Sequence, residues 1–354
     1  MKKIIALLLT LCIAFSMAAC GQTAAPSTPA ADTAAAPAEA ADTASSAPAT
    51  LTKLTVCGTN GNGDTQSIAH QNLAKYLNEL GGWDAVAMVS SEMGSTDDVL
   101  EQGMAGAAVI AATDPARIAS YVPGIGILMM PYMFDSYDQL DSLMDTDLYK
   151  QWCAELKDQG LVLLTNNCIT GFRQYVTNKA INEPSDLNGL KIRTMGSKIA
   201  VNSVNAMGAI ATALNQSEAY NAIETGVVDG GEWQIPTIYS LRMYEVCDHI
   251  SLTKHFLLTG SIVCGSAWFD TLSEQQQTEL TETAIKAYGE TKAMVQEYEA
   301  KYLEEMQANG VTVVEPDIDA FREATAYLYS DMDTTGGEDF LALRDELYAQ
   351  MGIA

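Results

Sequence analysis

Beyond residue 50 the apolar positions fall into alternating strand-like and helix-like stretches. Leu54-Thr55-Val56-Cys57 reads as a strand, broken by the glycine-rich run Gly58 to Gly63. From about Thr65, residues Ala69, Leu73, Tyr76, Leu77 and Leu80 share one helical face, and Gly81-Gly82 stops the helix. Ala85 to Val89 predicts the next strand. Ser95 then caps a helix through Met104, with Asp98 in its first turn. Ala107 to Ala111 is an unbroken apolar run, as a buried parallel strand requires. This βαβαβ opening predicts an α/β sheet.

The rhythm continues. Gly126 to Pro131 is an apolar segment, followed by two helices, the first opened by a capping box of Ser136 and Gln139. Leu161 to Thr165 predicts a strand, and a second α/β unit begins near Gly171. Its strands are Arg173 to Thr177 and Leu190 to Arg193. Its helices run from about Lys198 to Met207 and from Gln216 to Thr225, the second capped by Asn215 with Glu218 and ended by Gly226. The longest helical pattern spans Glu274 to Ala308, capped by Ser273 with Gln276. Unbroken, it would reach roughly 50 Å, enough to bridge two lobes. Two helices broken near Gly289 fit the same pattern.

The start of the chain departs from this pattern. Lys2 and Lys3 precede the apolar run Ile4 to Ala19, which is too short for a comfortable membrane span. It ends in Met17-Ala18-Ala19-Cys20-Gly21, which resembles the cleavage and lipidation signal of bacterial lipoproteins. A signal peptide over residues 1–19 and a lipid on Cys20 are therefore expected. An ordinary secretory cleavage near Ala19 is the other reading. Gln22 to Thr50 is almost wholly Ala, Thr, Ser and Pro and cannot bury enough apolar surface to fold. Residues 20–50 read as a lipidated cysteine and a disordered tether, with a reach of roughly 30 Å as a coil. What remains is long enough for about two domains.

The formal net charge is −26 among 354 residues. Such a surface repels nucleic acid and anionic lipid, but a cleft with its own local charges can still hold an anion. Of seven cysteines, Cys57, Cys153, Cys168, Cys247 and Cys264 lie in the folded part. Their odd number and the lack of a CxxC spacing imply neither a disulfide framework nor zinc. His70, His249 and His255 are not paired at ligand spacing, so no metal or other cofactor is expected. No nucleophile elbow, Walker loop or HExxH motif occurs. The run Gly58-Thr59-Asn60-Gly61-Asn62-Gly63 lacks the third glycine of the dinucleotide fingerprint and reads better as a turn lining a cleft. Missing catalytic machinery points to binding, not to an enzyme.

The stretch from Gly171 to His255 carries the most information. It contains Gly171-Phe172-Arg173-Gln174, then Pro184-Ser185-Asp186-Leu187-Asn188-Gly189-Leu190-Lys191-Ile192-Arg193. Ser217-Glu218-Ala219-Tyr220 and Thr225-Gly226-Val227-Val228-Asp229-Gly230-Gly231-Glu232 follow, then Tyr244-Glu245-Val246 before Thr253 and His255. These blocks, in this order, resemble the DctP-type solute receptors of TRAP transporters. Met93-Gly94-Ser95 and Met130-Pro131-Tyr132-Met133-Phe134 are similar to the family's N-terminal blocks, so the resemblance covers the chain from Leu51 onward.

The resemblance implies an α/β, two-lobed fold of the periplasmic-binding-protein kind, with a cleft between lobes and a long C-terminal helix bridging them. Lobe I would hold residues 51–170 with about 256–290, and lobe II residues 171–255 with about 291–354. It implies capture of a small organic carboxylate and delivery to integral-membrane permease subunits. A sensing partner of a membrane histidine kinase and a receptor for an ABC importer are the alternatives. Arg193 corresponds to the family's carboxylate-gripping arginine, and a planar guanidinium suits that task. Arg173 matches the second cleft arginine. Asn60, Asp114 and Gln216 are further ligand-contact candidates, each of which could equally be a turn, cap or first-turn residue. Trp233 stands where many family members have an asparagine. It reads either as an aromatic wall of the cleft, which would disfavour a polyhydroxylated acid, or as a core residue.

Overall fold

The computed structural model describes residues 51–353. The expected signal peptide, the lipid site Cys20 and the tether lie outside the described residues. The three opening strands are β1 (Thr52–Cys57), β2 (Trp83–Met88) and β3 (Val109–Thr113), all parallel, with β1 between the other two. Between them run α1 (Thr65–Leu80), N-capped by Asp64, and α2 (Thr96–Met104), opened by a Ser95–Asp98 capping box. The βαβαβ expectation holds. The third strand is set two residues later than its apolar run suggests, and Leu80 points to solvent.

After β3 comes the short α3 (Pro115–Ile118), capped by Asp114. The apolar segment that follows is a buried 3₁₀ helix, Pro123–Met129, and the Ser136–Gln139 box opens another 3₁₀ turn, Tyr137–Leu140. Next is α4 (Asp147–Asp158).

The largest difference from the expected layout is β4, one 17-residue strand from Leu161 to Thr177. The sequence suggests two strands there. The polar Asn166, Asn167 and Thr170 interrupt the apolar pattern, yet Asn166 is buried and donates to Thr259 Oγ1 at 2.6 Å. An internal partner removes the cost of burying its amide. β4 shows register irregularities near Thr165, Cys168 and Gly171, which bend it as bulges do.

The second half contains β5 (Lys191–Thr194), α5 (Lys198–Ala206), β6 (Ile210–Ala213), α6 (Gln216–Glu224), β7 (Gly230–Gln234), α7 (Ile235–Ser240) and β8 (His249–Ser251). β9 (Leu257–Gly265) returns antiparallel along β4. The path through the sheet is β2-β1-β3-β9-β4-β7-β5-β6, so β4 and β9 join its two halves. β10 (Thr312–Val314) pairs with β8 at the side.

The C-terminal helical run follows α8 (Ser266–Phe269) and is two helices: α9 (Glu274–Gly289) and α10 (Thr291–Ala308). Glu290 interrupts them and accepts hydrogen bonds from Asn72 Nδ2 (3.0 Å) and Tyr76 Oη (3.0 Å) of α1. The run is the long C-terminal helical element expected, with the single residue Glu290 between its two parts. No helix among the described residues is long and apolar enough to cross a membrane.

Candidate functional site

Parallel strands deliver their C-terminal ends to one place, and that is where α/β sheets bind ligands. Here the loops after β1 (Thr59, Asn60), β2 (Ser91), β3 (Thr113, Asp114), β5 (Met195, Gly196) and β6 (Leu214 to Ser217) surround a cavity of about 240 Å³. Arg173 and Gln234, from the antiparallel pair β4–β7, complete it. Ser90 and Ser91 hold left-handed backbone angles of φ 56° and 60°. Non-glycine residues pay for that conformation, and such strain gathers at binding sites. The Ser90 and Ser91 amides donate to the carbonyls of Asn60 (2.9 Å) and Gly58 (3.1 Å), which fixes the loop.

Five of the six expected ligand residues meet at this cavity: Arg193, Arg173, Asn60, Asp114 and Gln216. Asn60 is not in a left-handed turn. Its Nδ2 donates to Asp64 Oδ1 (2.9 Å), and its Oδ1 accepts from Gln216 Nε2 (2.6 Å). The first-strand loop is thus tied to the start of α6. Asp114 lines the cavity and also caps α3, accepting from the Arg117 amide at 2.9 Å.

Trp233 is the exception. It does not line the cavity, and its side chain is fully buried. On a strand, successive side chains point to opposite faces, so Trp233 is turned away from Glu232 and Gln234. Its ring lies over Gly231, where any Cβ would collide with it. The Arg193 guanidinium sits 5.1 Å from the ring centre. The aromatic-wall expectation is therefore corrected to a core tryptophan that supports Arg193 from behind. With it goes the argument against a polyhydroxylated ligand.

Three arginines converge on the cavity. Arg117 faces Asp97 Oδ1 at 2.5 Å and Asp114 Oδ2 at 3.6 Å. Arg173, 2% exposed, forms a buried ion pair with Glu232 and also donates to the Glu232 carbonyl. Burial alone would raise the Glu232 pKa, but Arg173 and the neighbouring His255 overcome it and hold it down to about 2. Thr194 Oγ1 donates to the other Glu232 oxygen at 2.7 Å, linking this pair to β5.

Arg193, 3% exposed, is different. Its Nε donates to the Leu214 carbonyl at 3.1 Å, and its Nη1 has no partner among the described residues. No acidic side chain of the described residues pairs with it. Burial, and then repulsion by Arg173, lower its pKa to about 9, so it remains charged at neutral pH. The rest of the lining is mostly hydroxyls and amides, including Thr59, Gln66, Ser95, Thr170 and Asn215. The buried Thr113 Oγ1 also lacks a partner among the described residues. Gln234, Gln66, Thr170 and Arg117 were not singled out from sequence. Gln234 could have been, since it follows Trp233 and carries the amide that Trp233 lacks. No group of three or more potential metal ligands occurs among the described residues.

Residues 57–335 match the profile of the DctP family, "Bacterial extracellular solute-binding protein, family 7", and the chain belongs to that family. It is a TRAP-type solute receptor of the two-lobed α/β class. A "Solute-binding protein" of Chromohalobacter salexigens is 30% identical over 205 residues, covering 58% of this chain and 61% of that relative. The sialic acid-binding periplasmic protein SiaP of Vibrio cholerae is 26% identical over 254 residues, covering 72% of this chain and 79% of its own. Among solved structures, a TRAP periplasmic solute-binding protein of Ochrobacterium anthropi with bound L-fuconate superposes with TM-score 0.79. It is 28% identical and covers 85% of this chain and 100% of its own.

Proposed function

We propose that this chain captures a small hydroxylated organic carboxylate in the cavity between its two sheet halves and hands it to membrane permease subunits. The observation that carries this reading is Arg193, a buried guanidinium with an unused N–H and no acidic partner among the described residues. A carboxylate would supply the missing counter-charge through two parallel hydrogen bonds. Arg173 is already neutralised by Glu232, so its role is to shape the site and add to its positive field. The hydroxyl and amide lining gives a ligand's own hydroxyls somewhere to donate and accept. The relatives named for sialic acid and L-fuconate fit the same ligand chemistry.

Lobe I over residues 51–170 with about 256–290, and lobe II over 171–255 with about 291–354, would close by a hinge motion stabilised by contacts to both. The protein acts without chemistry on its ligand. Cys20 would carry the lipid that keeps it at the membrane, and Cys20→Ser should release it or block its processing. Equal membrane attachment of mutant and wild type would remove the anchor from the proposal.

The test of the ligand class is a thermal-shift and calorimetric screen of sugar acids and small hydroxy acids, each beside its amide. At a hundred times its dissociation constant a ligand stabilises by about 2.7 kcal/mol. A carboxylate that binds while its amide does not is the expected result. Tight binding of a neutral sugar would overturn the reading.

A further inference from the structure

A second cavity, of about 380 Å³, lies on the other face of β4. Phe172 and Gln174 of β4 line it, whereas Arg173 between them lines the first cavity. Ile235, the first residue of α7, faces the second cavity, while Gln234 at the end of β7 faces the first. The two spaces stand back to back. The remaining walls come from the 3₁₀ turn at Tyr137, from the loop around Lys254, and from α10 through Glu299 and Leu303.

Its volume is that of a small-molecule site, and its lining is mixed, an apolar and aromatic side facing polar and charged side chains. Tyr137 and Phe172 stack at 5.2 Å between ring centres and form an aromatic surface. Ile235, Leu252 and Leu303 add aliphatic area. Two opposite charges face this space, and neither makes an ion pair among the described residues. Glu299 is half-buried and accepts one hydrogen bond, from Tyr137 Oη at 2.7 Å. Its burial raises the carboxyl pKa, with Tyr137 and the more distant Lys254 only partly offsetting that. Lys254 has a left-handed backbone, φ 48°, held by its amide donating to Gln174 Oε1 at 2.9 Å. The other acids at the rim are already used: Asp138 lies 2.7 Å from Lys292, and Asp135 pairs with Arg322.

We propose that this cavity is a second binding site, for a small zwitterionic amino compound with an apolar side chain. The ammonium would pair with Glu299, the carboxylate with Lys254, and the side chain would lie on the Tyr137–Phe172 surface. An arriving ammonium gives Glu299 the counter-charge that its partly desolvated carboxylate lacks. A carboxylate alone leaves Glu299 without a counter-charge, and an amine alone forgoes the attraction of the exposed Lys254. The site needs nothing from Arg193, and it stands or falls independently of the carboxylate reading.

The test is calorimetric titration of the full chain with L-phenylalanine, L-leucine and phenethylamine. Either amino acid should bind, and phenethylamine should bind more weakly. Glu299→Gln keeps an acceptor for Tyr137 and should weaken amino-acid binding by about tenfold or more, the loss of one charge-assisted hydrogen bond. Lys254→Gln, which removes an exposed charge, should weaken binding less, by about two- to fivefold. Ala300→Phe, on the cavity face of α10, should fill the space and abolish binding. Arg193→Ala should leave it unchanged. The proposal is overturned if neither amino acid binds, if phenethylamine binds as tightly as they do, or if binding survives Glu299→Gln but is lost in Arg193→Ala.

Discussion

Arg173 and Arg193 are almost equally buried, yet they live in opposite electrostatic surroundings. Around Arg173 the protein is complete. Glu232 neutralises it, Thr194 donates to Glu232, and His255 lies beside Glu232 with its Nε2 at 3.4 Å and stacks on Tyr175 at 4.8 Å between ring centres. Around Arg193 there is a carbonyl, a tryptophan face and an unpartnered N–H. A buried charge that is paired and hydrogen-bonded belongs to the architecture. One that is left incomplete beside a cavity is suited to a partner from outside. Under the proposed function, the same residue type, on neighbouring parts of one sheet, would divide into a structural and a ligand-facing role.

Breaking the complete side should do the most damage. Glu232→Ala leaves Arg173 buried without its counter-charge and should cost about 3–5 kcal/mol of folding stability, read from urea unfolding. The pH dependence has a defined sign. The folded pKa of Glu232 is depressed, so its stabilisation is full above the unfolded value of about 4.3 and is lost as pH falls toward about 2. The unfolding free energy of a Glu232→Gln variant, read from urea unfolding at several pH values, should depend less on pH across that window. Equal dependence would mean the pair contributes nothing.

Trp233→Ala sharpens the comparison from beneath Arg193. Emptying a fully buried tryptophan site should cost about 3–5 kcal/mol of stability. A variant of native stability with altered ligand preference would return Trp233 to the cavity wall. The smallest expected effect is at Gln216. Its bond to Asn60 joins the two sides of the cavity, and Gln216→Ala should weaken ligand binding by about two- to tenfold. A larger loss would make Gln216 a direct ligand contact.

How much of this could be read from the residues alone differs between the two sides. Capping boxes, glycine stops and apolar periodicity gave most of the elements before α3, because those signals are local. From sequence β4 reads as two strands, because Asn166 and Thr170 look like loop residues until their partners on β9 are known. β9 itself, and the short strands β6 and β8, carry no distinctive local pattern. At the site, Arg193 and Arg173 stood out through their motifs, and the structure brings both to one cavity. Their difference did not, because it depends on Glu232, 59 residues from Arg173 in the chain. Trp233 stays open between wall and core in the sequence because the alternation of β7, and the space that Gly231 leaves for the ring, appear only when the strand is placed in its sheet.

The most direct test of the central claim is a paired measurement on Arg193→Met, which keeps an apolar stem over Trp233 and removes the charge. Calorimetric titration with the carboxylate found in the screen should show a loss of about 2–5 kcal/mol, roughly 30-fold to several thousand-fold in affinity. Urea unfolding without ligand should show stability unchanged or increased, because an incompletely satisfied buried charge has gone. Binding within about threefold of wild type, under about 0.7 kcal/mol, would contradict the account.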